Sequence, residues 1–286
     1  MNKSQLKKRI IIGSANFTQR YGADSTKVNI DEIKKILNLA KKNKIYEIDS
    51  AEAYLKDKKI FIDTNKKFKF STKILPDAKW ESLEYCQAKL EKHFKIFNFN
   101  NINVVFFHDF KILFRKNGHK IFKNLEYLKK KKYFKKIGIS IYETSCLNRL
   151  VNSYDLDVVQ CPYNILDKRI LTTGWFDKLK KIDIEIYARS IFLQGLLVNK
   201  AIYKKKSFKK WKKKISMWFQ SLENNNISPI DYCLSDILVN DFDKIIIGIN
   251  NFDSLKEIIN FRKVDINKMS HLKINDYKLI DPRKWK

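Results

Sequence analysis

The chain has 286 residues, 44% of them hydrophobic, with 7 glycines and 4 prolines. This supports one large core and leaves no room for a flexible linker or a low-complexity segment. A formal charge of +28 raises nucleic acid or an anionic membrane as a partner, but the basic residues are 51 lysines against 8 arginines, and phosphate recognition draws heavily on the arginine fork.

Lysine is spread along the whole chain, so the runs at 129–132, 204–206 and 209–214 read as solvated helix faces. Neither a specific nucleic acid nor a membrane is expected as a partner, and the protein reads as a monomer or weak oligomer. Cys86, Cys146, Cys161 and Cys233 form no CxxC pair and have no histidine at metal-ligand spacing, so we expect buried thiols, a reducing compartment and no metal. The basic N-terminus reaches Gly13 after only three apolar residues, too few for a signal sequence, and no window approaches a membrane span. A cytoplasmic protein is expected.

In chain order, short β-rich runs fall at 9–12, 46–49, 68–73, 103–108, 135–140, 157–160, 184–189 and 244–249. Segments of helical period lie between them: Ile33, Ile36, Leu37 and Ala40; Leu83, Cys86, Leu90, Phe94 and Phe97; Leu255, Ile258 and Ile259. Strand and helix in alternation imply a parallel sheet with helices outside, and eight such units imply closure. The expected fold is therefore α/β, a single (β/α)8 TIM barrel spanning 1–286. The longest gap, about 54 residues after the seventh strand, holds helical stretches near 206–222 and 229–239 and reads as a functional insertion, with 193–215 as a lid. After Arg262 the chain reads as an irregular tail.

A barrel puts its chemistry at the C-terminal strand ends. Asp49 closes the second strand with Tyr54 just beyond, Lys73 closes the third and His108 the fourth. Taken singly, the aspartate can be a helix cap, the tyrosine a rim aromatic and the histidine a structural one. Together, in order and at one level, they fit a site in which an ammonium lowers the pKa of a phenol, an aspartate holds the ammonium and a histidine donates to a substrate oxygen. Such a set can protonate a carbonyl oxygen but cannot supply hydride.

The sequence at this point resembles the aldo-keto reductases. The resemblance rests on GSANFTQRYG (13–22), IDSAEAY (48–54), STK (71–73), FFHD (106–109), IGISIY (137–142), VVQCPYNILDKR (158–169), ARSIFLQGLL (188–197) and IIIGINNFDSLKEI (245–258). It implies a catalytic tetrad of Asp49, Tyr54, Lys73 and His108, and a reductase passing hydride from NADPH, with NADH possible, to an aldehyde or ketone. It also implies that Ser140 and Gln160 hold the nicotinamide carboxamide and that Arg189 stands where the family stacks an aromatic. Ser190, Phe192 and Gln194 would line the pyrophosphate, Gly248, Asn250, Ser254 and Glu257 the adenosine, and Gly13 and Ser14 the first turn. Tyr54 is followed by LKDKK where the family has YGxSE, and the second helix reads as short. Gly248 and Ser254 stand where many relatives place Lys and Arg, so a modest preference for NADPH is expected, helped by Lys256, Arg262 or another basic side chain near the adenosine. The PYNILDKR and FLQGLL strings resemble reductases of surface-sugar biosynthesis, which implies a sugar or nucleotide-sugar substrate. The rival reading is a non-catalytic dinucleotide-binding sensor or partner subunit.

Overall fold

A computed structural model of the protein describes residues 3–54, 67–96, 102–266 and 276–285. The strands are β1 (Ile10–Gly13), β2 (Glu47–Asp49), β3 (Lys69–Ile74), β4 (Ile102–Phe107), β5 (Lys136–Ser140), β6 (Val158–Pro162), β7 (Glu185–Arg189) and β8 (Lys244–Gly248). Each pairs in parallel with the next, and β8 pairs with β1 from Ile10↔Ile245 to Gly13↔Gly248, so the barrel is closed. All eight β-rich runs form strands, within two residues of the expected bounds.

The pleat divides the apolar residues between two cores. Ile11, Val104, Phe106, Val158, Tyr187 and Ile246 form a separate cluster drawn only from strands, which fills the barrel interior. Their neighbours Ile10, Ile12, Val105 and Phe107 join the larger core beneath the helices. Gly138 makes room for this plug: a Cβ there would meet the Phe106 ring at 2.5 Å and the Val158 carbonyl oxygen at 2.8 Å.

The outer helices follow the expected periods. Helix Ile30–Lys42 buries Ile33, Ile36, Leu37 and Ala40, and its Asn29 cap accepts from the Glu32 amide at 2.9 Å. Helix Leu83–Phe94 buries Cys86, Leu90 and Phe94. Phe97 and the short second helix lie outside the described residues. Cys86, Cys161 and Cys233 are buried free thiols, whereas Cys146 is half-buried, its Sγ donating to the Glu143 carbonyl oxygen at 3.3 Å.

The insertion after β7 carries helices Lys200–Tyr203, Lys212–Asn224 and Pro229–Ile237 around its own apolar cluster, which includes Ile215, Trp218, Phe219 and Tyr232. The C-terminal segment departs from the irregular tail expected. Asp276 and Asp281 cap a short α-helix, Tyr277–Ile280, and a 3-10 turn, Pro282–Lys284. Leu279 is buried in the insertion's cluster, and Trp285 meets Phe208 edge-on at 4.9 Å. The lysine runs are exposed or half-buried, as a solvated face requires.

Candidate active site

Strand register decides which side chains share the mouth. Gly13 pairs with Asp49, Asp49 with Ser71, Lys73 with Phe106, Ser140 with Gln160 and Pro162 with Arg189. On β3, Lys73 points inward, its Nζ 5.9 Å from the centroid of the Phe106 ring that caps the interior plug. Its neighbour Thr72 faces outward and meets His93 of helix Leu83–Phe94 at 2.7 Å.

Over this layer opens a cavity of about 210 Å³, lined by Asp49, Tyr54, Lys73, His108 and every candidate cofactor residue except Glu257. Glu257 lies outside the lining and accepts from Ser228 Oγ at 3.0 Å. Lys256 and Arg262 do not line it either; the cations that do are Lys73 and Arg189.

At the cavity base Lys73 Nζ donates to Asp49 Oδ2, each residue being 5% exposed. Gln160 Nε2 donates to Asp49 Oδ1 at 3.1 Å, and Gln160 Oε1 accepts from Ser140 Oγ at 3.1 Å. The Asp49 carbonyl oxygen accepts from the Ser14 amide at 2.9 Å and from Ser14 Oγ at 3.0 Å. A buried ion pair stabilises little unless its remaining lone pairs are satisfied; here both carboxylate oxygens have partners, so the ammonium is held at one point.

Tyr54 ends the 3-10 turn Glu52–Tyr54 that follows β2. Its ring meets His108 edge-on, centroids 6.3 Å apart, and Tyr21 at the same distance. Burial pushes the Tyr54 phenol well above its ordinary pKa, Tyr21 and Asp49 add to the rise, and the Arg189 guanidinium opposes it. The cation that opposes the rise is Arg189, while the Lys73 ammonium is paired with Asp49. Burial pulls the Lys73 ammonium down while Asp49 resists. Burial, then Lys73, also pulls His108 below its ordinary value, so its imidazole is neutral near pH 7. Its Nδ1 is buried with no hydrogen-bond partner among the described residues.

The far end of the cavity is built from three loops. Asn16 Nδ2 donates to the Ile249 carbonyl oxygen at 2.6 Å and to Asn250 Oδ1 at 2.7 Å, and Asn250 Nδ2 donates to Asp24 Oδ2 at 3.1 Å. The Ala23 amide donates to the Gln194 carbonyl oxygen at 3.3 Å, and Lys205 Nζ to the Ala23 carbonyl oxygen at 2.6 Å, which joins the β1 loop to the insertion. Ser190, Leu193 and Gln194 hold positive φ of 61°, 45° and 50°. Side-chain-bearing residues adopt this conformation at a cost that is met chiefly at binding sites. Ile230 and Ile258 supply apolar wall, and Asn250 and Ser254 polar atoms. A flat heterocycle with a ribose suits that lining. At the other end the orphaned His108 nitrogen and the Ser140–Gln160 amide system suit an amide-bearing ring and a carbonyl.

A second cavity, of about 550 Å³, adjoins the first through His108, Ser140 and Tyr142. Leu75, Phe110, Asp109, Lys111, Glu143 and Arg283 complete its wall. Tyr142 lies between two guanidinium groups, Arg189 at 4.2 Å and Arg283 at 3.6 Å from its centroid. Sequence reasoning missed Tyr142, Tyr21 and Asp24. Tyr142 was legible from strand parity, two residues beyond Ser140; the other two sit in a loop whose path no periodicity gives. Among the described residues no helix is long and apolar enough to cross a membrane, and no three His, Cys, Asp or Glu side chains gather as a metal site.

Solved structures share this architecture at low identity. The holo form of the aldo-keto reductase AKR11C1 from Bacillus halodurans is 14% identical with a TM-score of 0.72, over 97% of this chain and 95% of that one. The glycerol dehydrogenase AKR11B4 from Gluconobacter oxydans is 15% identical with a TM-score of 0.66, over 91% and 88%. The Gox0644 D53A mutant in complex with NADPH is 16% identical with a TM-score of 0.63, over 93% and 88%. No curated protein matches significantly. The family model of the aldo/keto reductases matches residues 9–278, from the start of β1 into the C-terminal helix, and the chain belongs to that family of NAD(P)H-dependent oxidoreductases.

Proposed function

We propose that this protein reduces an aldehyde or ketone carbonyl, with NADPH as the preferred hydride donor and NADH as a second one. The observation that supports it most is the buried Lys73–Asp49 pair set in one cavity with Tyr54 and the neutral His108. NADPH supplies the hydride. Ser140 and Gln160 would hold its carboxamide, with Ser190, Gln194, Asn250 and Ser254 along the rest of its length. His108 donates a hydrogen bond to the carbonyl oxygen and turns it toward Tyr54. As negative charge develops on that oxygen, the Tyr54 hydroxyl gives up its proton, and the nearby ammonium and guanidinium stabilise the phenolate left behind. Asp49 keeps the Lys73 ammonium in place through the cycle.

The wall of the second cavity supports a polyhydroxylated substrate, a sugar or nucleotide-linked sugar of surface polysaccharide biosynthesis. It sets the aromatic side chains of Phe110 and Tyr142 among donors and acceptors of both signs, Lys111 and Arg283 beside Asp109 and Glu143. Hydroxyl-rich rings are bound by that mixture. NADPH absorbance with a panel of simple and polyhydroxylated aldehydes and ketones tests the reading. Carbonyl-dependent consumption, faster with polyhydroxylated compounds, is expected. Tight NADPH binding with no consumption across the panel would favour the non-catalytic sensor instead.

A further inference from the structure

Arg189 is a cation without an acid. Its Nη2 donates to the Ile141 carbonyl oxygen at 2.8 Å, its Nη1 to Ser190 Oγ at 3.3 Å, and its plane stacks on Tyr142; no carboxylate is among its hydrogen-bond or ion-pair partners in the described residues. Arg9, Arg169 and Arg283 are instead paired with Asp241, Asp167 and Asp281. Among the described residues two carboxylates line the same cavity, Asp49 and Asp24. Asp49 is taken by Lys73, and Asp24 sits at the opposite end, held by Asn250 and the Thr26 amide. Among the described residues that line this cavity, the reacting end therefore holds Asp49, Lys73 and Arg189, which sum to +1, with His108 neutral.

This charge is fixed in place and felt across the site. The guanidinium reaches from the end of β7 to the backbone beyond β5, across β6, which lies between them and carries Gln160. It lowers the proton affinity of Tyr54, Lys73 and His108 alike. If Tyr54 and His108 hold the carbonyl, the hydride donor's ring must lie against the same few residues. A nicotinamide ring is neutral when reduced and positively charged when oxidised, so the two forms meet this cation differently.

Resting on the reductase reading, we propose that Arg189 makes the cofactor site selective for the reduced dinucleotide. It repels the nicotinamidium ring of NADP⁺ while leaving NADPH unopposed. The oxidised cofactor then leaves readily after turnover. Arg189 acts here as a selectivity residue on the cofactor's redox state.

The test is binding, read by calorimetry for NADPH and NADP⁺ at one ionic strength. Two like charges close together in a partly screened site repel by on the order of 1–2 kcal/mol, so wild type should bind NADPH about tenfold more tightly than NADP⁺. Arg189→Met should bring that ratio near one, whereas Arg189→Lys should keep most of it. Equal affinity of the wild-type protein for the two forms, or an unchanged ratio in Arg189→Met, would overturn the proposal while leaving the reductase intact. Failure of the wild-type protein to bind either form would overturn the reductase reading and this inference together. The wild-type ratio alone decides the matter if Arg189→Met does not fold.

Discussion

His93 shows how one residue outside the site supports it. It is 7% exposed, bonded to Thr72, and burial pulls its pKa down to about 4. Thr72 adjoins Lys73, so this bond pins the outward face of the strand whose inward face carries the ammonium. The folded protein keeps His93 neutral while the unfolded chain protonates near pH 6.5, so the unfolded state binds more protons between those values. Stability is complete above about pH 6.5 and falls as the pH drops toward 4. Urea titrations at pH 7.5 and 5 should differ by about 2 kcal/mol from this residue, and His93→Leu should remove about that much of the difference. An unchanged acid limb in the variant would show that His93 is not buried neutral. That Asp49, Lys73 and His108 share the mouth was legible for a simple reason: each sits at or just past the end of an apolar run, where period two fixes the inward face, whereas Tyr54 joins them from a 3-10 turn that no strand period reaches. That Lys256 and Arg262 stand outside the cavity lining was not legible, because nearness in sequence does not say which way a side chain leaves a helix or the loop after it.

The strands were the easiest elements to read, because parallel strands buried on both faces appear as short continuous apolar runs such as RIII and KIIIG. The capped C-terminal pieces were not legible. Tyr277–Ile280 and Pro282–Lys284 are about one turn each, too short to show a period, and they are fixed by Asp caps and by packing on a distant segment. That packing carries a consequence for the insertion. Leu279 is wholly buried in the insertion's cluster, and Asp276 accepts from Lys210 Nζ at 2.7 Å and Trp211 Nε1 at 3.1 Å. Leu279→Ala should cost about 2–5 kcal/mol within that unit. Hydrogen exchange should then rise across 200–224 while β1 to β8 keep their protection. Equal loss in the barrel would mean that the insertion and barrel unfold as one.

At the scale of the whole molecule, the two ends of the barrel divide the labour, as is usual in this architecture. At the N-terminal ends of the strands, Lys136 pairs with Glu185 and Lys244 with Glu47, ion pairs that tie strands together away from the chemistry. At the other end, the described residues around Tyr54 and His108 in the first cavity carry one buried pair and one arginine. The surplus of lysine lies on the surface, so DNA should bind weakly at low salt and lose nearly all affinity by about 150 mM, as a counterion-release interaction without a built site does. Submicromolar binding that survives that salt would give the basic surface a partner. The central claim concerns the other end of the barrel, where Tyr54 is assigned as the proton donor. Single-turnover hydride transfer from bound NADPH to an accepted aldehyde, compared between wild type and Tyr54→Phe at equal cofactor saturation, tests it most directly. NADPH affinity should stay close to wild type while the transfer rate falls about 10²- to 10⁴-fold. A Tyr54→Phe protein that keeps more than about a third of the wild-type rate would contradict the assignment.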